Sequence, residues 1–98
     1  MLTVKRTEEF SAWLGGLQDR TTRQRLNVRL RKAMLGNLGD LKAVGNGVVE
    51  MREHFGAGWR MYYIQRGETL IVMLGGGGKS TQSADIAKAV KLAAKLEE

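Results

Sequence analysis

Three strand-forming segments separated by glycine-containing turns constrain this chain more than any other feature. Val48 to Phe55, Trp59 to Gln65 and Thr69 to Leu74 are rich in β-branched, aromatic and aliphatic residues, and FGAG and RGE separate them at hairpin lengths. An antiparallel meander is the economical arrangement. LIVML, Leu70 to Leu74, is apolar on both alternating faces, which assigns it to the sheet's centre, with one face under helices and the other partly covered.

The flanking sequence supplies the helices. Leu2 to Lys5 is β-permissive, Thr7 is placed to cap a helix, and Glu8 and Glu9 complement its dipole. Phe10, Trp13, Leu14 and Leu17 give that helix one apolar face, and Gly15 and Gly16 predict an early end. Asp19 caps a second helix with Leu26, Leu30, Ala33 and Met34 as its apolar stripe; its arginines and lysine read as a solvated face. Gly36 to Gly47, with four glycines and two asparagines, reads as a loop or a series of turns. After GGGGK, Ser80 or Ser83 is placed to cap a last helix with Ile86, Ala89, Val90, Ala93 and Leu96 on one face and Lys88, Lys91 and Lys95 opposite. The order βααβββα predicts an α+β domain, with helices on one face of a largely antiparallel sheet and the other face available for function.

Ninety-eight residues support one domain, spanning 1–98. The formal charge of +6 favours a polyanion or an acidic protein partner. With no cysteine and a single histidine, His54, disulfides, thiolate catalysis and Cys-based metal sites are excluded; no cofactor or structural metal is expected. No signal peptide or membrane-spanning run is evident, so a cytoplasmic protein without a membrane partner is the simplest expectation.

The strand WRMYYIQ and the segment GGGGKST carry the chemistry. Alternation puts Arg60, Tyr62 and Ile64 on one strand face and Trp59, Met61 and Tyr63 on the other. Either tyrosine fits a core position, and Arg60 fits either a pair with Glu50 or Glu53 or an open groove. GGGGKST departs from a nucleotide-hydrolase P-loop because Met73 stands where the first glycine is required. Its glycine amides beside Lys79 still suggest an anion site at a helix start. His54 beside a turn is a candidate proton shuttle.

FSAWLGGL, R-x-R-L, GNLGDLKAVGNGVVEMR, GAGWRMYY and LGGGGKSTQSADIAKA, in this order and spacing, resemble the RelE/ParE superfamily of type II toxins, in particular the HigB-like addiction module killer proteins. The resemblance implies a toxin held inactive by a cognate antitoxin, reaching operator DNA only through that complex. It also implies a metal-independent endoribonuclease that cleaves mRNA on translating ribosomes. In that chemistry a ribose 2′-hydroxyl attacks the adjacent phosphate, which needs a base, an acid for the leaving 5′-oxygen and cations for the developing charge. The resemblance assigns Arg60, Lys79 and Lys42 to the scissile phosphate and Arg52, Tyr62 and Ser80 to RNA binding. Asp40, Glu50 and His54 are candidates for proton transfer. The family's C-terminal His/Tyr pair is absent, since the chain closes with KLAAKLEE. A gyrase-inhibiting ParE-like binding toxin and a degenerate antitoxin-binding module are the alternatives.

Overall fold

Thr7 joins the first strand to the first helix in the computed structural model, which describes residues 1–96. Its hydroxyl accepts from the Phe10 N–H at 3.1 Å, capping α1 (Glu8–Gly16), and donates to the Met73 carbonyl at 2.8 Å. This fixes α1 to β5 (Leu70–Gly77), against which β1 (Thr3–Arg6) lies parallel. Asp19 accepts from the Thr21 N–H and the Thr22 hydroxyl, starting α2 (Arg20–Met34). Both N-caps stand where their short polar side chains predict them.

The remaining strands are β2 (Leu41–Gly45), β3 (Val48–Arg52) and β4 (Arg60–Arg66), in a five-stranded sheet of order β1-β5-β4-β3-β2. All pairings but β1–β5 are antiparallel. The meander of Val48 to Leu74 is present, while β2 corrects the reading of Gly36 to Gly47 as loop. Gly45, Asn46 and Gly47 take φ of 106°, 54° and 78°, so these residues turn a hairpin. β2 is mostly exposed on both sides, and therefore lacks the apolar alternation that would have marked it.

The helices lie on both faces of the sheet, which corrects the expectation of a single helical layer. Phe10, Leu14, Leu26, Leu30 and Ala33 from α1 and α2 pack with Met51, Met61, Tyr63, Ile71 and Met73. On the opposite face Ala89 and Ala93 of α3 (Gln82–Leu96) pack with Val48, Tyr62, Ile64, Val72 and Leu74. Strands apolar on both faces require this double cover; each buried large side chain contributes about 1.5–3 kcal/mol.

The glycine run is likewise different from its expected form. Gly75, Gly76 and Gly77 belong to β5 and pair with Tyr62, Met61 and Arg60. A Cβ at Gly76 would collide with the Trp13 ring and lie 2.7 Å from the Arg60 carbonyl oxygen; one at Gly77 would lie 2.7 Å from Asp85 Cγ. These glycines admit side chains from both helical layers rather than forming a phosphate-cradling loop. A 3₁₀ turn (Lys79–Thr81) then leads into α3 in place of a serine cap, and the Thr81 hydroxyl donates to Asp85 at 2.5 Å. No helix among the described residues is long and apolar enough to cross a membrane.

Candidate functional site

Arg60 opens β4, opposite Arg52 on β3 and Gly77 on β5. It is only 4% exposed. Its Nη1 donates to the carbonyls of Glu53, Gly58 and Trp59 at 3.0, 3.1 and 3.2 Å, so the guanidinium pins the β3–β4 turn. Its Nε lies 3.6 Å from Oε1 of Glu50, and Arg52 Nε lies 3.7 Å from the same oxygen. These distances exceed a hydrogen bond, and all three atoms are buried without a hydrogen-bond partner. The attraction is therefore purely coulombic, in a region of reduced dielectric.

Glu50 is wholly buried. Its other oxygen accepts from the Tyr62 hydroxyl at 3.1 Å and from the Gln82 side-chain amide at 2.7 Å, tying β3 and β4 to the start of α3. Burial, then the negative charge of Glu50 and the hydrogen bond to it, push the Tyr62 phenol well above its ordinary pKa. Tyr62 accordingly keeps its proton at neutral pH. Two sequence assignments change: the buried Tyr62 ring has no free face for stacking on a base, and the buried Glu50, a candidate for proton transfer, braces the sheet instead.

Beyond this buried cluster, His54, Arg60 and Lys79 line an open pocket of 350 Å³ with Glu53, Gly56, Ala57 and Gly58. Lys79 reaches it because its N–H donates to the Ala57 carbonyl at 2.9 Å, latching the 3₁₀ turn to the β3–β4 loop. Gly58 has φ of 70°, and a Cβ there would stand 3.2 Å from Lys79 Cβ, so glycine permits both turn and latch. His54 Nε2 is 2.7 Å from Asp40 Oδ2, and both residues are exposed. That hydrogen bond holds the Asp40 carboxyl below its ordinary pKa, against a smaller opposing effect of desolvation.

Arg29 organises the rim from behind. It pairs with the Glu53 carboxylate and donates to the carbonyls of Leu38, Asp40 and Arg52 at 2.9–3.2 Å. Burial lowers its pKa, although the nearby Asp40 opposes that shift. Sequence reasoning placed Arg29 on a solvated helix face; its position beside the Leu26–Leu30 stripe was the available signal. Gln82 was also missed, because nothing local marks a helix-start glutamine as the partner of a glutamate 32 residues earlier.

The structure therefore brings Arg60, Lys79 and His54 to one pocket, with Asp40 behind His54 and Arg52 and Glu50 behind Arg60. Lys42 is exposed on β2 opposite Glu50, on the row that continues to Tyr62, and lies outside the pocket lining. Ser80 is exposed in the 3₁₀ turn and also lies outside it. Among the described residues, no three acidic or histidine side chains converge as metal ligands. The arrangement suits an anion: two cations and a histidine face a concavity whose nearby carboxylates, Glu53 and Asp40, already have basic partners.

Comparison with known proteins finds no matching family description and no matching solved structure. It does find an uncharacterized protein of Haemophilus influenzae, 37% identical over 95 residues that cover 97% of this chain and 96% of that protein. At that identity, over nearly the full length of both, the chain belongs to the same family as the Haemophilus influenzae protein.

Proposed function

We propose that this protein is a RelE/ParE-like toxin of a type II toxin–antitoxin system, acting as an endoribonuclease on mRNA in translating ribosomes. The observation that carries the reading is the convergence of His54, Arg60 and Lys79 on one open pocket, although His54 and Lys79 are 25 positions apart in sequence and the three come from the β3–β4 loop, β4 and the 3₁₀ turn. The resemblance to that superfamily supplies the reaction, and the pocket offers groups suited to it.

In this reading the scissile phosphate occupies the pocket. Lys79, exposed and mobile about its long side chain, neutralises the charge that develops as the 2′-hydroxyl attacks. Arg60 adds a fixed positive field from the floor, its orientation set by three carbonyls and Glu50. His54 exchanges the proton of the 2′-hydroxyl or of the leaving 5′-oxygen, a role for which a ring carrying both a donor and an acceptor nitrogen is suited. Asp40 orients the ring. Lys42 extends the basic path along the neighbouring strand.

The burial of Arg60 changes the choice of test. Arg60→Ala would leave Glu50 facing one arginine, and removing a partner from a buried ion pair costs about 3–5 kcal/mol, so lost activity could reflect lost fold. Lys79→Ala and His54→Ala alter exposed groups instead. After brief induction in bacteria, transcript 5′ ends should show new cuts within translated frames for the native chain. Cutting should fall about 10²–10³-fold for Lys79→Ala, the usual effect of deleting one transition-state charge donor. Intact transcripts with growth arrest would sink the nuclease reading. The same result would favour the gyrase-binding alternative, which gains support from Arg60 serving as a brace with only 4% exposure.

A further inference from the structure

One face of α2 borders a second concavity. Gln24, Arg25, Val28 and Lys32 recur at helical spacing along it, and they share its lining with Asn37 and Gly39 of the turn before β2. The groove encloses 410 Å³, a size that suits a small ligand or a single base. It meets the His54–Arg60–Lys79 pocket at Glu53, which lines both. The Glu53 carboxylate is paired with Arg29, so a polyanion crossing that rim meets little repulsion. A Cβ at Gly39 would stand 2.8 Å from Arg29 Nη2, and glycine there lets the guanidinium form part of the lining.

Arg25 gives the groove a flat wall. Its guanidinium carbon lies 3.8 Å from the centre of the Phe55 ring, close enough for a cation–π stack. Phe55 lines neither concavity. The guanidinium therefore covers the ring on one side and is exposed to the groove on the other. Tyr62 is buried and offers no such surface, and Trp59 packs toward Trp13, with ring centres 6.3 Å apart. Near this wall, the exposed Gln24 and Asn37 supply amides and Lys32 a cation, while Val28, 38% exposed, supplies apolar contact.

We infer that this groove is a base-specificity subsite: it takes an unpaired purine next to the scissile phosphate, stacked on Arg25 and read by Gln24 and Asn37. The inference rests on the nuclease reading, because a phosphate in the adjoining pocket is what brings the base to the groove. Unpaired bases are recognised by stacking on arginine planes and by hydrogen bonds to their edges. An amide bonds both N6 and N7 of adenine, and a lysine meets both O6 and N7 of guanine, whereas a pyrimidine presents a single polar group on that edge. The groove carries both kinds of reader, and so selects the ring class rather than one base.

The test titrates two 2′-O-methyl tetranucleotides, one all purine and one all pyrimidine, into the full chain while its backbone amide resonances are followed. Neither carries the attacking hydroxyl. Both should shift His54 and Lys79; only the purine strand should shift Gln24, Arg25 and Asn37, and it should bind about tenfold tighter. The double variant Gln24→Ala/Asn37→Ala, at exposed positions, should bring the two affinities together while keeping the native thermal midpoint. Arg25→Lys keeps the charge but not the plane, and should weaken the purine strand about tenfold. Lys79→Ala should weaken both strands alike. A silent groove beside a responsive pocket, a purine preference that survives the double variant, or native affinity in Arg25→Lys would overturn the inference and leave the nuclease reading standing. No response of His54 or Lys79 to either strand would sink that reading, and the inference with it.

Discussion

Glu50 shows how one residue can set several others. Its buried carboxylate draws two arginines toward one oxygen and takes hydrogen bonds from Tyr62 and Gln82 on the other. Glu50→Gln keeps the shape and removes the charge, leaving Arg52 and Arg60 to repel each other. We expect a loss of about 3 kcal/mol, the low end for deleting a partner from a buried pair, because Arg60 retains three carbonyl acceptors and Arg52 is one-third exposed. Urea unfolding checks this, and a loss below about 1 kcal/mol would mean the coulombic hub is unimportant. Tyr62 gives a second, pH-dependent expectation. Its folded pKa is raised above the unfolded value of about 10, so its contribution is complete below that pH and declines as pH rises toward the folded value. Burial shifts Tyr63 in the same direction, so Tyr62→Phe should flatten only part of the alkaline loss. Unfolding curves for the two proteins at neutral pH and above about pH 10 measure the difference; equal alkaline slopes would refute it.

At the scale of elements, β5 carries the sharpest contrast. Gly76→Ala would place a methyl group against Trp13 and the Arg60 carbonyl, an overpacking that typically costs about 1–3 kcal/mol. Gly75→Ala meets open space one residue earlier and should be neutral or slightly stabilising, since alanine restricts the unfolded chain. Thermal unfolding of the two variants separates them, and equal losses would show that the glycines serve only as flexible backbone. The same strand explains what sequence could and could not disclose. Thr7 and Asp19 announced their helices because capping is local chemistry, and Met61/Tyr63 against Tyr62/Ile64 announced two strand faces because alternation is local geometry. Gly75 to Gly77 read as a loop because the reason for Gly76 is Trp13 on one layer and that for Gly77 is Asp85 on the other, contacts that no short window contains. β2 was hidden for the complementary reason, since an exposed edge strand has no buried face to impose a pattern.

At the scale of the whole molecule, the double helical cover leaves the end of the sheet, rather than a whole face, open for chemistry. Strand position, the glycine-rich segment, a neighbouring turn and the family resemblance flagged Arg60, Lys79 and His54 in the sequence, but only the fold distinguishes the exposed lysine from the buried arginine. Under the proposed function, that distinction decides how the net charge of +6 should act on RNA. The overall field speeds encounter and is screened over about 8 Å at physiological salt, whereas a lysine touching phosphate displaces a condensed counterion. The two effects separate in the slope of log affinity against log salt for an unstructured RNA oligonucleotide. Lys79→Ala should lower the magnitude of that slope by about 0.7, the value for one phosphate contact on a single strand. Lys88→Ala removes the same formal charge from α3, outside that pocket, so it should lower affinity only slightly and leave the slope nearly unchanged. Equal effects of the two substitutions would mean that RNA senses only the summed charge, and the pocket of His54, Arg60 and Lys79 would then lose its claim to the phosphate.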